Sequence, residues 1–284
     1  MKLLKSMGTF ILTLAGGYML ILALMFLFQN RLLFMPSSAI FQTPESAGLL
    51  ADDIWIETED GIRIHGWYFP NNESEWVVVL SHGNAGNISG RIAIAETLLR
   101  SGAAVLMYDY RGYGKSEGRP SEKGLYKDIE GVIRYLTSEL DYPEKKIIMY
   151  GRSLGAAVAA YAAVNHDLGG LVLDSAFINL KRMVREVYPF VPAFLAKYDF
   201  PTDRYISGLN NMPVMIMHSP DDEIIGYHHG EYLFERAPEP KRFIQLRGGH
   251  NDNFFLSRDI IERSWKNFLN EANAETESGD AENI

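Results

Sequence analysis

Three short stretches carry residue types able to perform nucleophilic chemistry: Gly151-Arg152-Ser153-Leu154-Gly155, the acidic run Asp221-Asp222-Glu223, and Gly249-His250. A serine hydroxyl needs a base to become a nucleophile, and a neutral imidazole needs a carboxylate to fix its tautomer and stabilise its charged form. Ser153 follows an apolar run, Lys146 to Tyr150, and precedes an alanine-rich run, Ala156 to Val164. A strand-to-helix turn at that junction would expose the hydroxyl on a strained backbone, and the flanking glycines remove Cβ atoms that would collide there. Alone the pattern is weak, because a helix-capping serine between turn glycines reads the same way. Its setting between strand and helix raises it above that alternative.

The acidic run follows a strand-like segment ending near Met217. One of its carboxylates could orient an imidazole while the others stay solvated; register with the strand end favours Asp222 over Asp221, with Glu223 last. Paired glycines before His250 give a turn that lets its ring reach back across a sheet, take the Ser153 proton and return it to a leaving group. A further turn, Ser81-His82-Gly83-Asn84-Ala85-Gly86, can aim a backbone N–H into the same space, and with the N–H of Leu154 would make an oxyanion hole. Asn84 is the favoured donor, with its neighbour as the alternative. The competing readings are a solvated acidic loop and an ordinary glycine-bearing loop between strand and helix.

These turns need elements to hold them. Ile54 to Thr58 and Ile62 to Phe69 read as an antiparallel hairpin about Asp60-Gly61. Trp76 to Ser81, Ala104 to Tyr110, Ile147 to Tyr150, Leu171 to Leu173, Val214 to Met217 and Phe243 to Leu246 are short apolar runs, as expected of strands covered on both faces. Helical patterns lie between them, over 90–100, 122–140, 154–165, 230–236 and 254–269. Such alternation predicts a mostly parallel, doubly wound α/β sheet. Ligands of such sheets bind at the carboxyl ends of strands, where all the candidate residues fall. Residues 177–206, with Pro189, Pro192 and Pro201 among aromatic and basic side chains, exceed a simple crossover and predict a small cap.

Composition bounds the function. The chain has 284 residues, 47% of them hydrophobic, which suffices for one large domain and an appendage. A net charge of −9 argues against a nucleic-acid partner, and the lack of cysteine removes disulfides, thiolate metal sites and a cysteine nucleophile. Of the histidines, His65, His166, His228 and His229 read as surface or capping residues. His82 and His218, directly after strands, read as buried, neutral and hydrogen-bonded; no third ligand is suggested by spacing, so no metal and no cofactor are expected.

No charged residue occurs from Met7 to Phe28, a length able to span a bilayer. A cleaved signal peptide is the rival reading, but it would have a shorter apolar core and a small-residue cleavage site. Residues 1–30 are therefore read as a transmembrane anchor, 31–51 as a connector along the membrane interface, 52–269 as the catalytic domain, and 270–284 as a disordered acidic tail. Lys2, Lys5 and the amino terminus outnumber Arg31 across the span, which places the N-terminus in the cytoplasm and the domain on the outer side.

The chain order Ser153, Asp222, His250 is that of the α/β-hydrolase topology. With Leu80 to Ala85, Tyr108-Asp109-Tyr110-Arg111-Gly112-Tyr113-Gly114-Lys115-Ser116, the serine pentapeptide, His218 to Ile225 and Gly249-His250, the sequence resembles the α/β-hydrolase superfamily. More narrowly it resembles the membrane-anchored group of serine-aminopeptidase-like hydrolases and depalmitoylases. The resemblance runs from about Arg31 to Leu269. It implies the α/β-hydrolase fold with an N-terminal antiparallel hairpin and a small cap, preceded here by one transmembrane helix. It also implies a catalytic triad of Ser153, Asp222 and His250, oxyanion donors at Asn84 and Leu154, and a structural role for the Asp109 to Ser116 loop. Where many relatives carry glycine, this chain has Ser219 and Ala156, both small replacements. The expected activity is hydrolysis of an acyl ester or thioester, lipid-linked in one version; an amidase or peptidase, and a non-catalytic membrane scaffold, are the alternatives.

Overall fold

The structure, a computed structural model, describes residues 2–281. Its centre is an eight-stranded sheet of β1 (Asp52–Glu57), β2 (Arg63–Phe69), β3 (Val77–Ser81), β4 (Ala104–Tyr108), β5 (Ile147–Arg152), β6 (Gly170–Asp174), β7 (Val214–His218) and β8 (Lys241–Gln245). The spatial order is β1-β2-β4-β3-β5-β6-β7-β8. β1 pairs antiparallel with β2, and β2 antiparallel with β4; every later pairing is parallel. This is the α/β-hydrolase fold.

Strand alternation divides the interior into two cores. Val77 and Val79 point to one face, with α4 (Glu122–Ser138) and α5 (Leu154–Asn165), while Val78 and Leu80 point to the other, with α3 (Ile92–Arg100) and the terminal helix. Because both faces are covered, β3 to β7 are buried along their whole length and read as unbroken apolar runs. The edge strand β1 alternates buried and exposed residues toward its end, Ile54 and Ile56 turning inward.

Ahead of the domain, one helix, α1 (Lys2–Leu27), carries a 24-residue stretch, Leu4–Leu27, long and apolar enough to cross a membrane. A short helix, α2 (Gln29–Leu33), follows it. Residues 31–51, expected as a connector along the membrane interface, are bonded to the domain. Met35-Pro36 pairs in parallel with Ala85-Gly86, Phe34 is buried against Tyr198 and Phe200, and the Ser37 and Ala39 carbonyls accept from the Asn87 amide (2.8 Å each). The cap segment comprises α6 (Leu180–Val187), a single turn at Ala193–Leu195 and α7 (Thr202–Ser207).

The carboxyl end also differs from expectation. The last helix runs Arg258–Ala281, past the boundary drawn at Leu269, because Ala272 is buried in the second core and Glu271 pairs with Arg242. Residues 282–284 of the expected disordered tail lie outside the described residues. Two histidines read as surface or capping residues are buried. His65 sits in an interior-facing position of β2 between the Trp55 and Trp67 rings with Nε2 2.6 Å from Asp53 Oδ1, and His229 lies under the cap bonded to Glu186.

Candidate active site

Ser153 closes β5 and opens α5 with φ 52° and ψ −117°, in the left-handed region that only a tightly held turn imposes on a serine. Neighbouring backbone explains the glycines on each side. A Cβ on Gly155 would lie 1.9 Å from the Ser81 carbonyl oxygen, and one on Gly151 would lie 2.5 Å from Ala156 Cα. Any side chain there would push the helix off the sheet. The strain is held by the Ser153 N–H donating to the Asp174 carbonyl (2.9 Å) and the Ala156 N–H donating to the Ser153 carbonyl (3.0 Å).

On the turn after β7, Asp222 Oδ2 is 2.8 Å from His250 Nδ1. Its other oxygen accepts the N–H groups of Ile224 (3.0 Å) and Ile225 (2.8 Å), so the carboxylate is fixed from both sides. Burial alone would raise this carboxyl, but the imidazole and the two N–H groups outweigh it and hold its pKa below the usual value. Asp222 therefore stays ionised. Of its neighbours, Asp221 is exposed, while Glu223 Oε2 accepts the His250 backbone N–H (3.0 Å).

Ser153, Leu154, Asn84, Gly83 and His250 line one cleft of about 390 Å³. Leu154 is the first residue of α5, so its N–H has no acceptor within the helix. Among the described residues neither that N–H nor the Asn84 N–H donates to a protein group. Asn84 is held on its other atoms: its carbonyl accepts from the Met35 N–H and the Tyr113 hydroxyl (2.9 Å each), and its side-chain amide donates to the Leu33 carbonyl (3.0 Å). Two of those three contacts come from the segment that follows the N-terminal apolar helix.

Arg152, and the contact of the exposed Glu223 with the His250 N–H, are not foreseen from the sequence. Arg152, almost wholly buried, donates from Nη1 to Asp174 Oδ2 (2.7 Å) and from Nη2 to the His250 carbonyl (2.5 Å). It thereby ties the nucleophile strand to the histidine turn. Asp174 also accepts from the Tyr150 hydroxyl (2.9 Å) and the Ser175 hydroxyl (3.0 Å). A charged residue at the end of an otherwise apolar strand was the available signal for Arg152; nothing in the sequence separates Glu223 from a solvated acid.

The Tyr108 to Ser116 loop lies behind this site. Asp109 Oδ1 accepts the Ile88 N–H (2.9 Å), the Ser116 hydroxyl donates to the Asp109 carbonyl (2.8 Å), and Arg111 binds both Asp60 and Asp128. His82 and His218 are buried, with Nδ1 of one 2.7 Å from the Gly83 carbonyl and Nε2 of the other 2.7 Å from the Ile225 carbonyl. Burial lowers the pKa of His218. Glu186, His228 and His229 place ligand atoms within 4.8 Å of one another, and Arg182 Nε donates to the same Glu186 carboxylate (2.5 Å).

Residues 72–201 match the family described as Serine aminopeptidase, S33. The chain is 36% identical over 247 residues to the uncharacterized protein Rv2307c of Mycobacterium tuberculosis, covering 86% of this chain and 88% of that one. It is 33% identical to the uncharacterized membrane protein YNL320W of Saccharomyces cerevisiae, over 81% of this chain and 85% of that one. Among solved structures it is similar to the Pyrococcus furiosus esterase Pf2001, with a TM-score of 0.72 and 21% identity over 84% of this chain and 98% of the other. Fold, strand-end motifs and relatives agree: the chain belongs to the α/β-hydrolase superfamily.

Proposed function

We propose that the protein is a membrane-anchored serine hydrolase that cleaves a carboxylic ester or thioester through an acyl-enzyme. The observation that carries this reading is a serine on a strained elbow sharing one cleft with a carboxylate-bound imidazole and two unengaged backbone N–H groups. In the reaction His250 Nε2 takes the Ser153 proton as Oγ attacks the substrate carbonyl carbon. The resulting oxyanion accepts from the N–H groups of Leu154 and Asn84. As the carbon–oxygen or carbon–sulfur bond breaks, the departing alcohol or thiol takes that proton from His250. Water, deprotonated by the same ring, then releases the acid and restores the serine.

A serine-directed fluorophosphonate probe tests this. Covalent label on Ser153 of the intact protein is expected; no label, under conditions that modify a reference serine hydrolase, overturns it and favours a scaffold. An amidase or peptidase is the second reading, supported by the description of the matching family. Parallel assays on p-nitrophenyl esters, thioesters and aminoacyl anilides separate the two. In the anchored reading the N-terminus lies in the cytoplasm and the hydrolase domain on the outer side, supported by Lys2 and Lys5 against Arg31. Protease added to spheroplasts should then digest the domain.

A further inference from the structure

A second cavity, of about 120 Å³, lies beside the cleft, and its lining is almost wholly apolar. One wall is the second half of the Lys2–Leu27 helix and the turn after it, with Leu22, Met25 and Leu33; the facing wall is the cap, with Leu180, Val184 and Val191. Polar contacts clamp the walls together at three heights. The Tyr18 hydroxyl donates to the Phe190 carbonyl (2.7 Å), Gln29 donates to the Leu195 carbonyl (2.7 Å) and accepts from the Lys197 N–H (2.8 Å), and the Tyr198 hydroxyl donates to Asn30 Oδ1. Leu22 is only 7% exposed, whereas Leu20 and Ile21 beside it are 60% and 50% exposed. Leu33 and Leu180 line both this pocket and the Ser153 cleft. The two spaces therefore adjoin.

Depth gives the pocket its meaning. Tyr18 lies nine residues before the helix end at Leu27, about 14 Å at 1.5 Å per residue. A cap bonded to it descends alongside the apolar stretch instead of sitting above it. There the cap exposes the purely apolar side chains of Val187 (49%), Phe190 (53%) and Phe194 (81%), which are better accommodated by hydrocarbon than by water. An apolar cavity of about 150 Å³ takes a benzene, so a pocket of about 120 Å³ takes the last few carbons of a chain.

We propose that the transmembrane anchor and the cap together form the acyl-end subsite of the enzyme. The distal carbons of a long acyl chain occupy the pocket, the chain passes the Leu33 and Leu180 side chains, and its carbonyl carbon reaches Ser153. The anchor is then part of the recognition surface, and the substrate is an acyl ester or thioester resident in the bilayer. This rests on the serine-hydrolase reading above.

The test uses full-length protein in nanodiscs and p-nitrophenyl esters from two to sixteen carbons. Each methylene lost from an apolar pocket costs roughly fourfold in kcat/KM. Met25→Trp and Val184→Trp, filling the pocket from opposite walls, should each lower the sixteen-to-four-carbon ratio of kcat/KM at least about tenfold. Met25→Ala should move the optimum to longer chains. Leu12→Trp, on the same helix at a 74% exposed position, is the control and should leave the ratio alone. An unchanged ratio in both filling variants, with thermal unfolding like the wild type, overturns the proposal while leaving the serine hydrolase standing. If the wild type takes no fluorophosphonate and cleaves no ester, the catalytic reading fails instead, and a diazirine-bearing palmitate decides the pocket. Crosslinking to cap peptides that excess palmitate competes away, and that Val184→Trp abolishes, supports it; crosslinking that neither changes overturns it. Monoacylglycerol and an S-palmitoylated peptide, each assayed in the same nanodiscs, distinguish a lipid from a lipidated protein as the source of the chain.

Discussion

The Ser153 cleft and the apolar pocket that adjoins it are built by opposite means. On the sheet side, buried polar groups engage one another closely: Arg152 with Asp174 and the His250 carbonyl, Asp222 with an imidazole and two N–H groups. On the side of the cap and the N-terminal helix, apolar side chains face outward and a few hydrogen bonds join segments some 170 residues apart, such as Tyr18 and Phe190. Chemistry demands atoms fixed to a fraction of an ångström, which buried hydrogen bonds supply. Accommodation of a flexible apolar chain demands only volume and greasiness, which loosely joined helices supply.

That contrast can be broken or sharpened, most sharply on the sheet side. Ser153→Ala should lower turnover by roughly 10⁴ to 10⁶-fold with the fold intact, read by ester hydrolysis and circular dichroism. Asp222→Asn should lower it by about 10⁴-fold, because the imidazole loses its orienting carboxylate, whereas Asp221→Asn should change it less than about twofold. Equal losses in the two aspartate variants would remove the basis for choosing between them. Arg152→Gln leaves Asp174 buried without its cation and should cost about 3 to 5 kcal/mol in denaturant unfolding.

The smallest effect concerns a histidine outside the cleft lining. His166 bonds Glu130 (2.8 Å) and Glu144 (2.9 Å), and the Glu130 bond foremost raises its pKa to about 9, against an ordinary value near 6.5. The folded state thus binds a proton more tightly than the unfolded one. The stabilisation is fully present below about pH 6.5 and is lost as pH rises through about 9. His166→Phe should flatten that part of the stability profile in thermal unfolding followed from pH 6 to 10.

The sheet was legible because strands buried on both faces must be short apolar runs, and because turns at their carboxyl ends carry glycine and serine for steric reasons that the Gly151 and Gly155 contacts make explicit. Asp222 was separable from Asp221 by register alone. His65 and His229 were misassigned because their burial depends on what packs over them, Trp55 and Trp67 for one, the cap helix carrying Glu186 for the other. The bonding of residues 31–51 to the domain is illegible for the same reason: proline and small polar residues look like a linker whether or not another loop bonds to them.

The pairing of Met35-Pro36 with Ala85-Gly86 sets a working height. Only seven residues lie between Leu27, where the apolar helix ends, and Met35, so the two are at most about 28 Å apart on a fully stretched chain and less because Gln29–Leu33 is helical. In the membrane-anchored reading proposed above, a domain on so short a leash cannot swing out to sample the surrounding water. A fragment trimmed to begin at Asp52 would leave the Asn84, Gly86 and Asn87 contacts open, so rates measured on it would describe a different catalyst from the full chain.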